Sequence, residues 1–133
     1  MKYSRIVLFS LGLYLLLVVL STIATLLVGA EEATQSMPFI FTQHILGFVI
    51  SLIAYFYLGY KQSTSPYKQA VLVAAVYWFI ELSMSVLLYI FFDIPIEPVI
   101  FLIPVLLHAI AVLLGTLLGI QLRHKRELGV SAI

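Results

Sequence analysis

Cysteine is absent from the chain, and charge is scarce. Without a thiol there is no disulfide, thiolate metal site, thioether-linked haem or cysteine nucleophile. Asp, Glu, Lys and Arg make up only 10% of the residues, against about 25% in soluble domains. A hydrophobic share of 63% and a mean hydropathy of +1.16 over 133 residues put the chain among integral membrane proteins. Beside such apolar runs there is no room for a soluble catalytic domain. Also missing are a phosphate-binding glycine loop, a nucleophile elbow, a zinc-protease motif and a basic surface suited to nucleic acid. The sequence therefore predicts no enzyme, no cofactor, no resident metal and no nucleic-acid partner.

What remains reads as four transmembrane helices in an all-α, up-down antiparallel bundle, a single domain with the lipid bilayer as solvent. The spans run over about 6–30, 38–60, 67–92 and 98–122. Ile6 to Ala30 carries no charge, and at about 1.5 Å per residue makes about 37 Å of helix, enough to cross a hydrocarbon core of about 30 Å with tilt. Lys2 and Arg5 before it, and Val28-Gly29-Ala30 at its end, also resemble a cleaved secretory signal. The apolar run is longer than the usual signal core of about 7–15 residues, which favours a retained span. Thr34 to Met37 completes a loop, and Pro38 suits a first helical turn. The second span ends in Tyr55, Phe56, Tyr57 and Tyr60, which fit the membrane–water interface. Ser65-Pro66 reads as an N-cap with proline at the first helical position. Asp93 to Pro98 is a tight turn broken by Pro95 and Pro98.

With this span count, Lys2, Arg5, Lys61, Lys68, Arg123, Lys125 and Arg126 fall on one side, and Glu31, Glu32, Asp93 and Glu97 on the other. The positive-inside rule then puts both termini in the cytoplasm. Connections this short predict that consecutive helices are antiparallel neighbours. Pro38-Phe39-Ile40-Phe41 and Pro98-Val99-Ile100-Phe101 match loosely at an offset of 60, as do Leu58-Gly59 and Leu118-Gly119. A duplicated hairpin would explain this, and so would chance agreement between apolar segments.

Glu81 is the most expensive residue in the chain. Its nearest charged neighbours in sequence are Lys68 and Asp93. At the bilayer midplane a charge costs about 2.5–3.5 kcal/mol on insertion scales. Counted from Phe92 and from Pro98, Glu81 and His108 both lie about 15–17 Å deep on helices joined by the tight turn. His108 is thus the expected partner. The carboxyl is protonated, or ionised against a protonated His108, or neutral and bonded to Tyr77 or Ser85, each one turn away. Such a pair either exchanges protons, as in pumps and transporters, or merely clasps two helices for about 0.6–2 kcal/mol. Trp78, near the midplane, lines a cavity there with Tyr77 or packs in the core.

Ala111, Gly115 and Gly119 recur every fourth residue in the fourth span. Small residues on one face let helix backbones approach, within the bundle or at a seam to another subunit. Pro104, one turn before His108, kinks its helix passively or opens space beside the imidazole. His44, Gly47, Ser51 and Ala54 share an inward face, with His44 expected near the outer water. Two histidines without thiolates are a weak metal signal. Arg123, Lys125 and Arg126 should attract anionic lipid at about 1 kcal/mol per charge.

Four spans and a lone membrane glutamate resemble the small multidrug-resistance transporters in architecture. Those proteins carry the glutamate in their first helix, whereas Ile6 to Ala30 has no carboxylate, and the strict charge asymmetry opposes insertion in two orientations. Their function is not carried over. The leading expectation is an accessory, assembly or oligomerising subunit, either a homo-oligomer or one docked on a larger membrane protein through the small-residue stripe. The alternative is a small proton-coupled transporter using Glu81 and His108.

Overall fold

The computed structural model describes residues 2–131. They form α1 (Tyr3–Val28), α2 (Ala30–Gln35), α3 (Met37–Lys61), α4 (Pro66–Phe92) and α5 (Pro98–Ser131), with no strand among the described residues. Four helices are long and apolar enough to cross a membrane: α1, α3, α4 and the Phe101–Val130 stretch of α5. Large apolar side chains such as Leu8, Phe41, Phe79 and Phe91 stand exposed on their outer faces, as a lipid solvent requires.

Several boundaries differ from expectation. The segment after the first span is not all loop. Gly29, at φ 98°, ends α1 in a conformation that favours glycine, and α2 starts at once with Glu31 and Glu32 in its first turn, where the helix dipole favours acid. Ser36, rather than Ser65, is the side-chain cap: its Oγ accepts from Phe39 N at 3.4 Å, with Pro38 in the opening turn. Ser65 adopts a left-handed conformation and leaves Pro66 to begin α4 with no side-chain cap. The expected C-terminal tail is helical to Ser131.

Consecutive spans are not the closest neighbours. The tightest packing joins α3 to α5, and the next joins α1 to α4. The reason lies in Gly59, Gly115 and Gly119. A Cβ on Gly115 would sit 2.6 Å from the Leu52 carbonyl oxygen and 3.0 Å from Phe56 N. One on Gly119 would sit 2.7 Å from Tyr60 N, and one on Gly59 would meet the Thr116 backbone. Backbone therefore lies against backbone, with Ala111 fully buried in the same stripe. The stripe is consumed inside the bundle and offers no open docking seam.

The α3 and α5 contacts climb in step, His108 meeting Ser51, Gly115 meeting Leu52 and Arg123 meeting Gln62, so the two helices run parallel. The same holds for α1 and α4. Ser10 Oγ donates to Val73 O at 2.9 Å, and the Tyr14 and Tyr77 rings meet edge-on at 5.9 Å. Arg123 donates to the carbonyls of Gln62 and Gly59 at the C-terminal end of α3, and Arg126 donates to the Tyr60 hydroxyl. Two of the three cations expected to meet lipid thus bind protein.

Adding a methyl at Gly115 or Gly119 has no room to go. Gly115→Ala and Gly119→Ala should each cost about 1–3 kcal/mol. Gly12→Ala, whose Cβ would meet nothing within 4 Å, should hold or raise stability. Thermal unfolding in mild detergent checks the contrast, and equal midpoints for all three variants would refute the close contact.

Candidate functional site

Four side chains from two helices converge on His108, which is only 6% exposed. From α3, the Tyr55 hydroxyl lies 2.8 Å from Nε2 and Ser51 Oγ lies 3.5 Å from Nδ1. From α4, the Tyr77 ring stacks on the imidazole at 4.3 Å and 14°, and Trp78 approaches at 5.7 Å. The i, i+4 spacing of Ser51, Tyr55 and Gly59 puts all three on the face that meets α5. The close approach made possible by the glycines lets a short hydroxyl reach across. With the proton on Nδ1, the imidazole donates to Ser51 and accepts from Tyr55; the opposite tautomer reverses both. A neutral histidine held between two hydroxyls can relay a proton by changing tautomer.

This arrangement corrects the expected pairing. Glu81 is half-buried and forms no hydrogen bond or ion pair with His108 or, through its carboxyl, with any described residue. Ser85 Oγ donates at 2.9 Å to the main-chain carbonyl of Glu81, not to the carboxyl. Tyr77 and Trp78 stand level with His108, so Glu81 lies about one turn, roughly 5.4 Å, nearer the α4–α5 connection. Counting residues from Phe92 and Pro98 treated the two helix ends as level, and the non-helical stretch 93–97 between them removes that equality. Of the expected site residues, the structure joins Tyr77, Trp78 and His108, and sets Glu81 and Ser85 apart. The packing residues Ala111, Gly115 and Gly119 continue the α5 face that holds His108.

Two cavities flank the site, and Pro104 lines both. The first, about 80 Å³, is bounded by His108, Ser51 and Tyr77 together with Gln43, His44 and Gly47. It has room for several waters. Gln43 and His44 are half-buried there and make no hydrogen bond to any described residue, so His44 lines this open cavity. The second cavity, about 270 Å³, is bounded by Glu81, Ser85, Glu97 and Phe101. Among the described residues, no three His, Asp or Glu side chains lie close enough to hold a metal.

Tyr55 was missed by the sequence reading, which placed it with the interfacial aromatics. It is fully buried and contacts His108 directly. Its signal was the four-residue step from Ser51 on an inward face.

The chain matches no protein-family model, no curated protein and no solved structure.

Removing the Tyr55 hydroxyl leaves a buried imidazole nitrogen without its best partner. Tyr55→Phe should therefore lower stability by about 1–3 kcal/mol. Ser85→Ala should cost less than about 0.5 kcal/mol, since its only bond returns to its own helix. Denaturation of both variants in the same detergent measures the difference, and a Ser85 effect as large as that of Tyr55 would contradict this site.

Proposed function

We propose that this small multi-pass membrane protein is a proton-coupled carrier whose working site is the His108 pocket. In this reading the four spans alternate in direction and both termini are cytoplasmic, as the one-sided placement of every Lys and Arg supports. The observation that carries the proposal is a cavity in an apolar bundle that gathers polar side chains, with Gln43 and His44 making no hydrogen bond among the described residues beside a hydrogen-bonded imidazole. A simple helix clasp has no use for such a space. Polar groups at this depth are costly, and in membrane proteins they mark paths for protons and solutes. Glu81, facing its own cavity across Pro104, supplies a second protonatable group. The accessory-subunit reading rests on the lack of a soluble domain and on the small-residue stripe, and that stripe packs against α3. Of Arg123, Lys125 and Arg126, Lys125 is exposed and makes no hydrogen bond or ion pair among the described residues, which leaves it for anionic headgroups.

The cysteine-free chain makes topology directly testable. Gln35→Cys and Ser63→Cys are single exposed thiols. In intact cells, a membrane-impermeant maleimide should label the first and spare the second. Labelling of the second alone would invert the orientation.

For transport, protein reconstituted on a solid-supported membrane is challenged with a panel of polar and amphipathic solutes under a pH gradient. At least one solute should evoke charge movement. Glu81→Gln and His108→Gln should each reduce it by at least about tenfold, while the lipid-side Ser83→Ala leaves it intact. Unchanged currents in Glu81→Gln would limit the carboxyl to a structural role, and silence across the panel would return the chain to the docking-subunit reading.

A further inference from the structure

The pocket at His108 does not end at the imidazole. It continues between α1 and α3 into a cavity of about 260 Å³ walled by Leu17, Leu20, Leu46 and Ile50. Gln43, His44 and Gly47 line both parts. The joined cleft is mainly apolar in both parts, with its polar groups, Gln43, His44, Ser51 and His108, gathered toward α5 and only Ser21 among the leucines at the far end, and no Asp, Glu, Lys or Arg lines either part. α1 and α3 touch each other little, and Leu46 is exposed beside the opening. With α1 and α3 as membrane spans, an opening between them would face the bilayer.

We infer that the cleft binds a neutral lipid whose small head accepts hydrogen bonds, with the head at Gln43 and His44 and the tail between α1 and α3. The inference rests on reading the His108 pocket as the working site, and adds the class of ligand. A charged head would find no counter-charge in the cleft and would be buried at heavy cost. A wholly polar solute would leave the leucine and isoleucine walls uncovered. The Gln43 amide and the His44 imidazole can both donate to a carbonyl or hydroxyl oxygen. In size the cleft reaches the lower end of small-molecule sites, about 300–1,000 Å³. A quinone ring or the hydroxyl of a long prenol meets these demands.

Trp78 is the only tryptophan, and its ring lies 5.7 Å from His108, so its fluorescence reports on the pocket. The purified full chain in mild detergent is titrated with decylubiquinone, with geranylgeraniol as an optically silent competitor and palmitate and dodecylamine as charged controls. The expected result is saturable quenching of Trp78 that neither charged amphiphile reverses. The double variant Gln43→Ala/His44→Ala should weaken it at least about tenfold. Competition by geranylgeraniol would extend the site to any acceptor head, and its failure would assign the site to the quinone carbonyls; both uphold a neutral lipid. Quenching that does not saturate, or that is equal in the double variant, reflects partition into the micelle and overturns the inference. Displacement by palmitate or dodecylamine overturns it too.

A second arm separates this inference from the reading beneath it. Gly47→Cys points a thiol into open space in the cleft and is treated with a membrane-impermeant thiol reagent. Modification that decylubiquinone blocks supports both the pocket and its ligand. Modification without saturable quenching removes the lipid and leaves the pocket as a water-reached site. Neither modification nor quenching removes both.

Discussion

The contact on which this structure depends is backbone against backbone, where Gly115 and Gly119 of α5 meet α3 and Gly59 of α3 meets Thr116. In a bilayer, lipid tails are as apolar as leucine, so helices do not associate by hiding hydrophobic surface. They associate by close packing and by polar contacts that have no better partner. Glycine removes the side chains that would hold two axes apart. Once α3 and α5 lie this close, the Tyr55 hydroxyl reaches the His108 imidazole at 2.8 Å and the Arg123 guanidinium reaches the last carbonyls of α3. The polar cluster follows from the glycine contact. With α5 one side chain further away, Tyr55 and His108 would each need another partner in hydrocarbon.

The same contact explains why the hairpins interleave. Each long helix finds its main partner in the other half of the chain: α1 with α4, and α3 with α5. Hydrogen-bonded residues across these pairs are 63 positions apart in the first and 53 to 66 in the second. The loose sequence match at an offset of 60 falls in that range. Two copies of a helical hairpin, related by an axis along the bundle and packed like against like, would produce this register. In parallel-repeat membrane proteins, polar sites lie near the midplane where the repeats meet. Ser51 and Tyr55 from the first hairpin and His108 from the second meet where these two halves pack.

The four spans were legible because hydropathy and charge are local properties, readable one residue at a time. The inward face through His44, Gly47 and Ser51 was legible for the same reason: a stripe of polar and small residues has no place against lipid. Partners were harder, because a contact depends on two faces and on their relative height. Glu81 and His108 have matching residue counts from their helix ends, yet the stretch between Phe92 and Pro98 sets those ends at different levels. Tyr55 sits among Phe56, Tyr57 and Tyr60, a cluster typical of the interface, and only the spacing from Ser51 distinguishes it. Helix α2 is too short and too polar for hydropathy to reveal; its signs were Gly29 and the two glutamates after it.

Pro104 gives the site its asymmetry. Lacking an N–H, it cannot close the helical hydrogen bond one turn back, and its ring forces the local backbone apart. It lines the cavity of His108 on one side and that of Glu81 on the other. The two protonatable groups thus occupy separate spaces divided by the one residue of α5 where the helix is weakest. A direct Glu81–His108 bond would have locked α4 to α5 and left neither group free to meet a ligand. In the proposed carrier, with the two kept apart, a proton would pass between them only through water or through a shift of α5 about its proline. The carrier proposed above would need that restriction, since two sites in permanent contact would pass protons whether or not a solute was bound.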